Sequence, residues 1–284
     1  MTIYHETLYD SSFGVQAVFA VARQDEASTE TNCLTTIADD TPKECVFGQR
    51  TAARSIVLFG DSHALQWVPA LRKAAESGGW RLITLVKGSC PAAAVSVYNF
   101  ELKRLDYECS AWRERALERI VELHPYAALI ASSDGYVANF HTPSNNHHLT
   151  SAADWERGIR STLVRLADAD VRSLLLRDIP RPGFDVLVCL SRAMANPFIF
   201  SIRNCRTSTE SALRPALWRA ESEATQGVRG AATLDVSDQF CNQVECPTVI
   251  RGVVVYRDSN HLSAQYSKLL APVLEERLLQ RLHE

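Results

Sequence analysis

Three residues near opposite ends of the chain, Ser62, Asp258 and His261, are of the types that a nucleophilic serine needs. A serine hydroxyl is a weak nucleophile until a base within hydrogen-bond reach takes its proton, and that base must be held by a third group. Ser62 stands in "SIVLFGDSHALQWVPALRKAAESGG" (55–79), where an apolar run ends at Gly60 and an amphipathic pattern begins at once. A strand-to-helix turn of this kind leaves backbone N–H groups and a helix dipole free for a developing oxyanion. Asp61 and Ser62 are also good N-cap residues, so capping is the competing reading of the same letters. His63 is adjacent, but successive residues at a helix start point in different directions, which favours a packing or substrate-contact role over that of base. The better base lies in "VVVYRDSNHLSAQY" (253–266), where Asp258 and His261 are three apart. One turn of chain brings the carboxylate to the imidazole Nδ1 and leaves Nε2 for Ser62. A capped helix start with an exposed histidine is the alternative there.

The elements that must position these residues alternate. Buried-strand runs occur at "SIVLFG" (55–60), "RLITLV" (81–86), "YAALIAS" (126–132), "VRSLLLRDI" (171–179) and "ATLDVSDQF" (232–240), with a short one at "RGVVVY" (251–256). Helical spacing appears between them: 64–77, with Pro69 kinking it or lying in its first turns, then 110–123, 154–169, 211–226 and a closing segment from 263. This order predicts an α/β fold whose central parallel sheet is covered by helices on both faces. In such sheets sites form beyond the C-terminal ends of the strands, where Ser62, Gly88, Ser132 and Ser133 all fall.

The 284 residues are 46% hydrophobic and 22% charged, with a net charge of -3. No basic cluster argues for nucleic acid, and no apolar run approaches the ~18 residues of a bilayer span. The N-terminus lacks the pattern of a signal peptide, and Phe13 to Ala22 reads as a docked strand or helix. The eight cysteines fall into neighbouring couples. They predict the disulfides Cys33–Cys45, Cys90–Cys109, Cys189–Cys205 and Cys241–Cys246, and with them an oxidising compartment. Reduced, buried cysteines are the alternative; zinc is disfavoured because no C-x-x-C spacing occurs. Paired cysteines without a signal sequence predict a fragment of a longer secreted or membrane-anchored protein.

"FGDSH" (59–63) and "DSNHLS" (258–263) resemble the first and last motifs of the SGNH (GDSL-like) esterases. "VKGSCPA" (86–92) and "VSDQFCNQVEC" (236–246) make the likeness closer to SGNH domains fused to bacterial type-3 membrane acyltransferases. The resemblance implies a flavodoxin-like three-layer α/β/α sandwich over residues 53–284, preceded by an irregular linker extension at 1–52. It also implies Ser62 as nucleophile, His261 as base, Asp258 as its orienting acid, and an oxyanion held by the backbone N–H groups of Ser62 and Gly88. Where the family carries an asparagine in G-x-N-D, this chain reads "ASSDGY" (131–136), so a serine hydroxyl, Ser132 foremost, is the expected third donor.

The implied activity is serine-dependent O-acyl transfer, acetyl foremost, to a bacterial cell-surface carbohydrate, with the acyl group delivered by a fused membrane acyltransferase domain. A carbohydrate acetylesterase, with water as acceptor, uses the same residues. A non-catalytic glycan-binding domain is a further alternative, supported only by the altered "ASSDGY". The implied location is periplasmic or extracytoplasmic, with no cofactor and no metal. His141, His147 and His148 have no acidic or cysteine partner nearby and read as a solvated loop or an acceptor-binding lid. His63, Tyr136 and Phe140 are the candidate substrate contacts, the last two as sugar-stacking rings.

Overall fold

The computed structural model describes residues 31–137, 149–198 and 200–283. Before the run at Ser55, the stretch expected to be irregular contributes two strands, Leu34–Thr35 (β1) and Glu44–Gly48 (β2). Both pair with Arg81–Lys87 (β4), β1 in parallel and β2 antiparallel. They are too short to show a period, and the Cys33–Cys45 disulfide fixes their start against the sheet.

The chain then alternates. Ser55–Gly60 (β3) leads through Ser62–Leu65 (α1) and Val68–Gly78 (α2) to β4. The hairpin Tyr98–Asn99 (β5) and Arg104–Leu105 (β6) precedes Tyr107–Leu123 (α3) and Ala127–Ala131 (β7). Ala152–Asp168 (α4) and Ser173–Leu176 (β8) follow, then Val186–Ala195 (α5), Arg206–Ser208 (β9), Thr209–Leu213 (α6), Pro215–Thr225 (α7) and Ala231–Leu234 (β10). Short strands Glu245–Pro247 (β11), Val249–Ile250 (β12) and Val253–Val254 (β13) lead to Ala264–Leu269 (α8) and Ala271–His283 (α9).

Three expected helices are interrupted, each at a proline, which cannot donate to the preceding turn. Pro69 lies in the first turn of α2, Pro215 follows Arg214 in left-handed conformation, and Pro272 lies just beyond the break between α8 and α9.

The main sheet has seven strands in the order β1-β4-β3-β7-β8-β10, with β2 also on β4. Counting the five parallel strands from β3, this is second-first-third-fourth-fifth, the flavodoxin-like order. The direction of winding reverses between β3 and β7, which opens a crevice at their C-terminal ends. Alternate residues of β3 enter opposite layers. Ile56 and Leu58 pack with Val68, Leu71, Leu274 and Leu278 of α2 and α9. Val57 and Phe59 pack with Trp112, Ile120, Leu163 and Leu217 of α3, α4 and α7. Each fully buried Leu or Ile contributes about 1.5–3 kcal/mol by leaving water.

The cysteines pair as neighbours in sequence: Cys33–Cys45, Cys90–Cys109, Cys189–Cys205 and Cys241–Cys246. Among the described residues no cysteine is free, so the reduced alternative does not hold. Cys90–Cys109 pins the exit of β4 to the start of α3, and so fixes the root of the β5–β6 hairpin. Cys189–Cys205 ties α5 to the residue just before β9. Cys241–Cys246 closes the short loop that leads into β11, which pairs with β9. These two bridges together brace the irregular section between β8 and the loop of Asp258 and His261. Buried Lys87, the last residue of β4, donates to the carbonyls of Thr36, Ile37 and Asp39 at 2.6, 2.8 and 2.8 Å. It thereby anchors the loop after β1 beside the crevice.

Candidate active site

Gly60 ends β3 at φ +152°, and a Cβ there would lie 1.7 Å from the Ala131 carbonyl oxygen of β7. Only glycine permits that approach, which brings the two strand exits together. Asp61 is fully buried between them. Its carboxylate accepts the His63 N–H at 2.8 Å, capping α1, and the Ser133 N–H beyond β7 at 3.0 Å. Capping is therefore the work of Asp61, and the Ser62 hydroxyl is left for other chemistry.

That hydroxyl lies 3.1 Å from His261 Nε2, and His261 Nδ1 lies 2.8 Å from Asp258 Oδ2. Asp258 Oδ1 accepts the backbone N–H groups of Asn260 and His261 at 2.8 and 2.7 Å. Burial alone would raise the Asp258 carboxyl; the His261 contacts and these N–H groups reverse that and hold it well below the usual carboxylate range. It is thus ionised and can orient Nδ1–H. The cap of α8 is Ser263, whose hydroxyl accepts from Tyr266 N–H, so Asp258 is not needed there.

The crevice is a cleft of about 430 Å³ with Ser62 and His261 in its wall, faced by Tyr98, Phe100, Ser133 and Arg181. Gly88 follows directly on β4, and its neighbour Ser89, at φ +56°, lines the cleft. Ser132 does not line it: its hydroxyl accepts the Ala92 N–H at 2.9 Å and borders a small internal cavity beside Trp155 and Glu221. Ser133 stands in the cleft wall instead. Its hydroxyl oxygen accepts from Gly135 N–H at 3.1 Å and Arg181 Nη2 at 2.9 Å. With both lone pairs used, the Ser133 proton is free to donate.

Tyr136 lines the cleft, but its ring stacks on Trp155 at 5.8 Å and its hydroxyl bonds Asp61, so one ring face is closed to a sugar. Phe140, His141, His147 and His148 lie outside the described residues, as does the stretch from Phe13 to Ala22.

Sequence reasoning misses Asp178. Its letters place it inside the fourth strand, yet β8 ends at Leu176 and leaves Asp178 at the C-terminal edge of the sheet. A carboxylate closing an apolar run is the available signal. Its Oδ1 lies 2.6 Å from His63 Nδ1, and its Oδ2 accepts Asp134 N–H at 2.9 Å. Asp134 in turn pairs with Arg181 and Arg214. Burial alone would lower His63, but the charge and hydrogen bond of Asp178 outweigh it and place the imidazole above its ordinary value. Burial likewise opposes ionisation of Asp178, and His63 reverses that.

The family model for the SGNH domain, described as fused to AT3 domains, matches residues 31–276. The chain belongs to that family. It is an SGNH-type enzyme, a serine acyltransferase or esterase. Among solved structures it is similar to the periplasmic domain of a lipopolysaccharide acetyltransferase from Salmonella ser. Paratyphi A. The TM-score is 0.60 at 15% identity, over 83% of this chain and 86% of that one, which is a likeness of fold. A GDSL-like lipase from Bacteroides thetaiotaomicron matches at TM-score 0.46 and 12% identity, over 93% of this chain and 98% of that one. An acetyl-xylooligosaccharide esterase from Geobacillus matches at 0.48 and 12%, over 83% and 97%. No curated protein matches the chain in sequence.

Proposed function

We propose that this SGNH domain transfers an acyl group, acetyl foremost, to a hydroxyl of a bacterial cell-surface carbohydrate through an acyl-Ser62 intermediate. The observation that carries this reading is the connected set Ser62–His261–Asp258 at 3.1 and 2.8 Å, open to a cleft of about 430 Å³. His261 Nε2 takes the Ser62 proton as Oγ attacks the acyl carbonyl, and Asp258 stabilises the imidazolium that forms. The oxyanion is received by the backbone N–H groups of Ser62 and Gly88 and by the Ser133 hydroxyl. Collapse expels the donor's leaving group, which takes the proton from His261. The acceptor hydroxyl then gives its proton to His261, attacks the acyl-serine, and leaves as the ester while Ser62 is regenerated.

The acceptor class is supported by the far wall. Tyr98 and Phe100 meet edge to face at 5.3 Å on the hairpin rooted by Cys90–Cys109, and Phe100 is 65% exposed. Aromatic faces beside polar groups suit the apolar face of a sugar ring. The acetyltransferase whose periplasmic domain shares this fold acts on lipopolysaccharide, and the fused AT3 domain of the family would supply the acyl group from the membrane. Among the described residues no helix is long and apolar enough to cross a membrane. This domain would then work on the outer side, where its four disulfides form.

The test supplies p-nitrophenyl acetate with and without added oligosaccharide, and separates acetylated sugar from free acetate by mass spectrometry. Acetylated oligosaccharide that is absent with Ser62→Ala is the expected result. Acetate alone, unchanged by any sugar, assigns the same residues to an esterase.

A further inference from the structure

The residues flanking the nucleophile and the base meet in register. Ser62 reaches His261, His63 Nε2 lies 3.5 Å from Asn260 Nδ2, and the Gln66 side-chain oxygen accepts Leu262 N–H at 2.9 Å. Three consecutive residues of the base-bearing loop are thus tied to one short segment after β3. The middle tie differs from the others, because His63 is itself held from behind by Asp178 at 2.6 Å. That contact fixes the ring plane and puts a proton on Nδ1, so Nε2 is the atom presented to Asn260. The His63 and His261 rings are 5.0 Å apart. Around His63 stand Asp61 on its own segment, Asp178 and Arg181 beyond β8, Asp134 beyond β7, and His261. Asp134 takes both guanidiniums, Arg181 and Arg214, so His63 Nε2 is left to accept from the Asn260 amide.

We infer that His63, held by Asp178, is a positioning residue. Through Asn260 it sets the loop that carries Asp258 and His261 against Ser62. The inference rests on the acyl-transfer reading for its kinetic consequence, but not for its geometry. His63 does not exchange protons with the substrate in this scheme. It supplies a rigid abutment for a loop whose outer side is open to solvent, and displacing a base by about 1 Å can cost ~10²-fold in rate.

The experiment compares wild type with His63→Phe, Asn260→Ala and the double variant. Asn260→Ala leaves the buried ion pairs intact, so it keeps the test sound if His63→Phe folds poorly. Two quantities are read: the rate of Ser62 labelling by a fluorophosphonate, and the low-field proton resonance of His261 Nδ1–H, assigned by its loss in His261→Ala. Each single variant should slow labelling by about 10-fold to 10²-fold, the double no more than the slower single, and each should move the resonance. Wild-type labelling and an unmoved resonance in Asn260→Ala would overturn the inference, as would losses that multiply in the double. If wild type itself does not label, the acyl-transfer reading falls and the resonance alone decides this one.

Discussion

The same chemical couple occurs twice in the candidate active site, in two settings. His261 and Asp258 sit in a loop with side chains 20% and 36% exposed. His63 and Asp178 sit at the sheet edge with side chains 2% and 6% exposed. Both show an imidazole Nδ1 on a carboxylate oxygen, at 2.8 and 2.6 Å. What separates them is what Nε2 meets. In the outer couple it meets a hydroxyl, Ser62, that can give up a proton; in the inner one it meets an amide, Asn260, that cannot. On the proposed reading the outer pair moves a proton because its second nitrogen faces the Ser62 hydroxyl. The inner pair, buried against an amide, would serve as a joint.

Replacing each carboxylate by its amide should separate the two roles. Asp258→Asn is expected to cut fluorophosphonate labelling by about 10⁴-fold, because the tautomer of His261 is no longer fixed. Its melting temperature should hardly move. Asp178→Asn should lower labelling far less, but it removes the buried carboxylate that holds His63 and should cost about 3 kcal/mol of stability. Labelling kinetics beside thermal melts check both, and equal behaviour of the two variants would break the comparison. Ser133→Ala comes next. If Ser133 is the third oxyanion donor proposed above, its loss should cost about 10²–10³ in kcat, with KM for p-nitrophenyl acetate little changed, and Ser133→Asn should recover part of that loss.

A last prediction concerns stability alone, at a buried carboxyl with no histidine partner. Burial pushes Glu221 up to about 8, and the hydrogen bond from Trp155 Nε1 at 2.8 Å only partly offsets this. The unfolded chain releases this proton near 4.5 while the folded one keeps it to about 8. Stability from this group is therefore full below the lower value and lost as pH rises across that window. Melting temperature against pH should fall less steeply in Glu221→Gln, which keeps the acceptor for Trp155 and has no charge to bury.

Much of this arrangement is legible in the letters. "SIVLFG" and "YAALIAS" are apolar without interruption because strands at the centre of a parallel sheet are covered on both faces. The disulfide couples are legible because each bridge closes a local loop, from five residues apart at Cys241–Cys246 to nineteen at Cys90–Cys109. Asp258 and His261 can be joined because one turn of chain connects them. Contacts set by distant segments are not legible. The choice between adjacent Ser132 and Ser133 depends on the Ala92 N–H, forty residues away, capturing the first hydroxyl. His63 acquires its partner from Asp178 across 115 residues, after β8 ends sooner than its apolar letters suggest. β1 and β2 are too short to carry a pattern, and depend on a disulfide and on pairing with β4.

The most direct measurement is fluorophosphonate labelling of the purified chain, read by intact mass and peptide mapping, beside Ser62→Ala and His261→Ala. A single adduct on Ser62, absent from the first variant and slowed by at least about 10³-fold in the second, is expected of an activated nucleophile. A folded chain that takes no adduct, or labels equally well without His261, would contradict the assignment of Ser62, His261 and Asp258 as the acyl-transfer machinery.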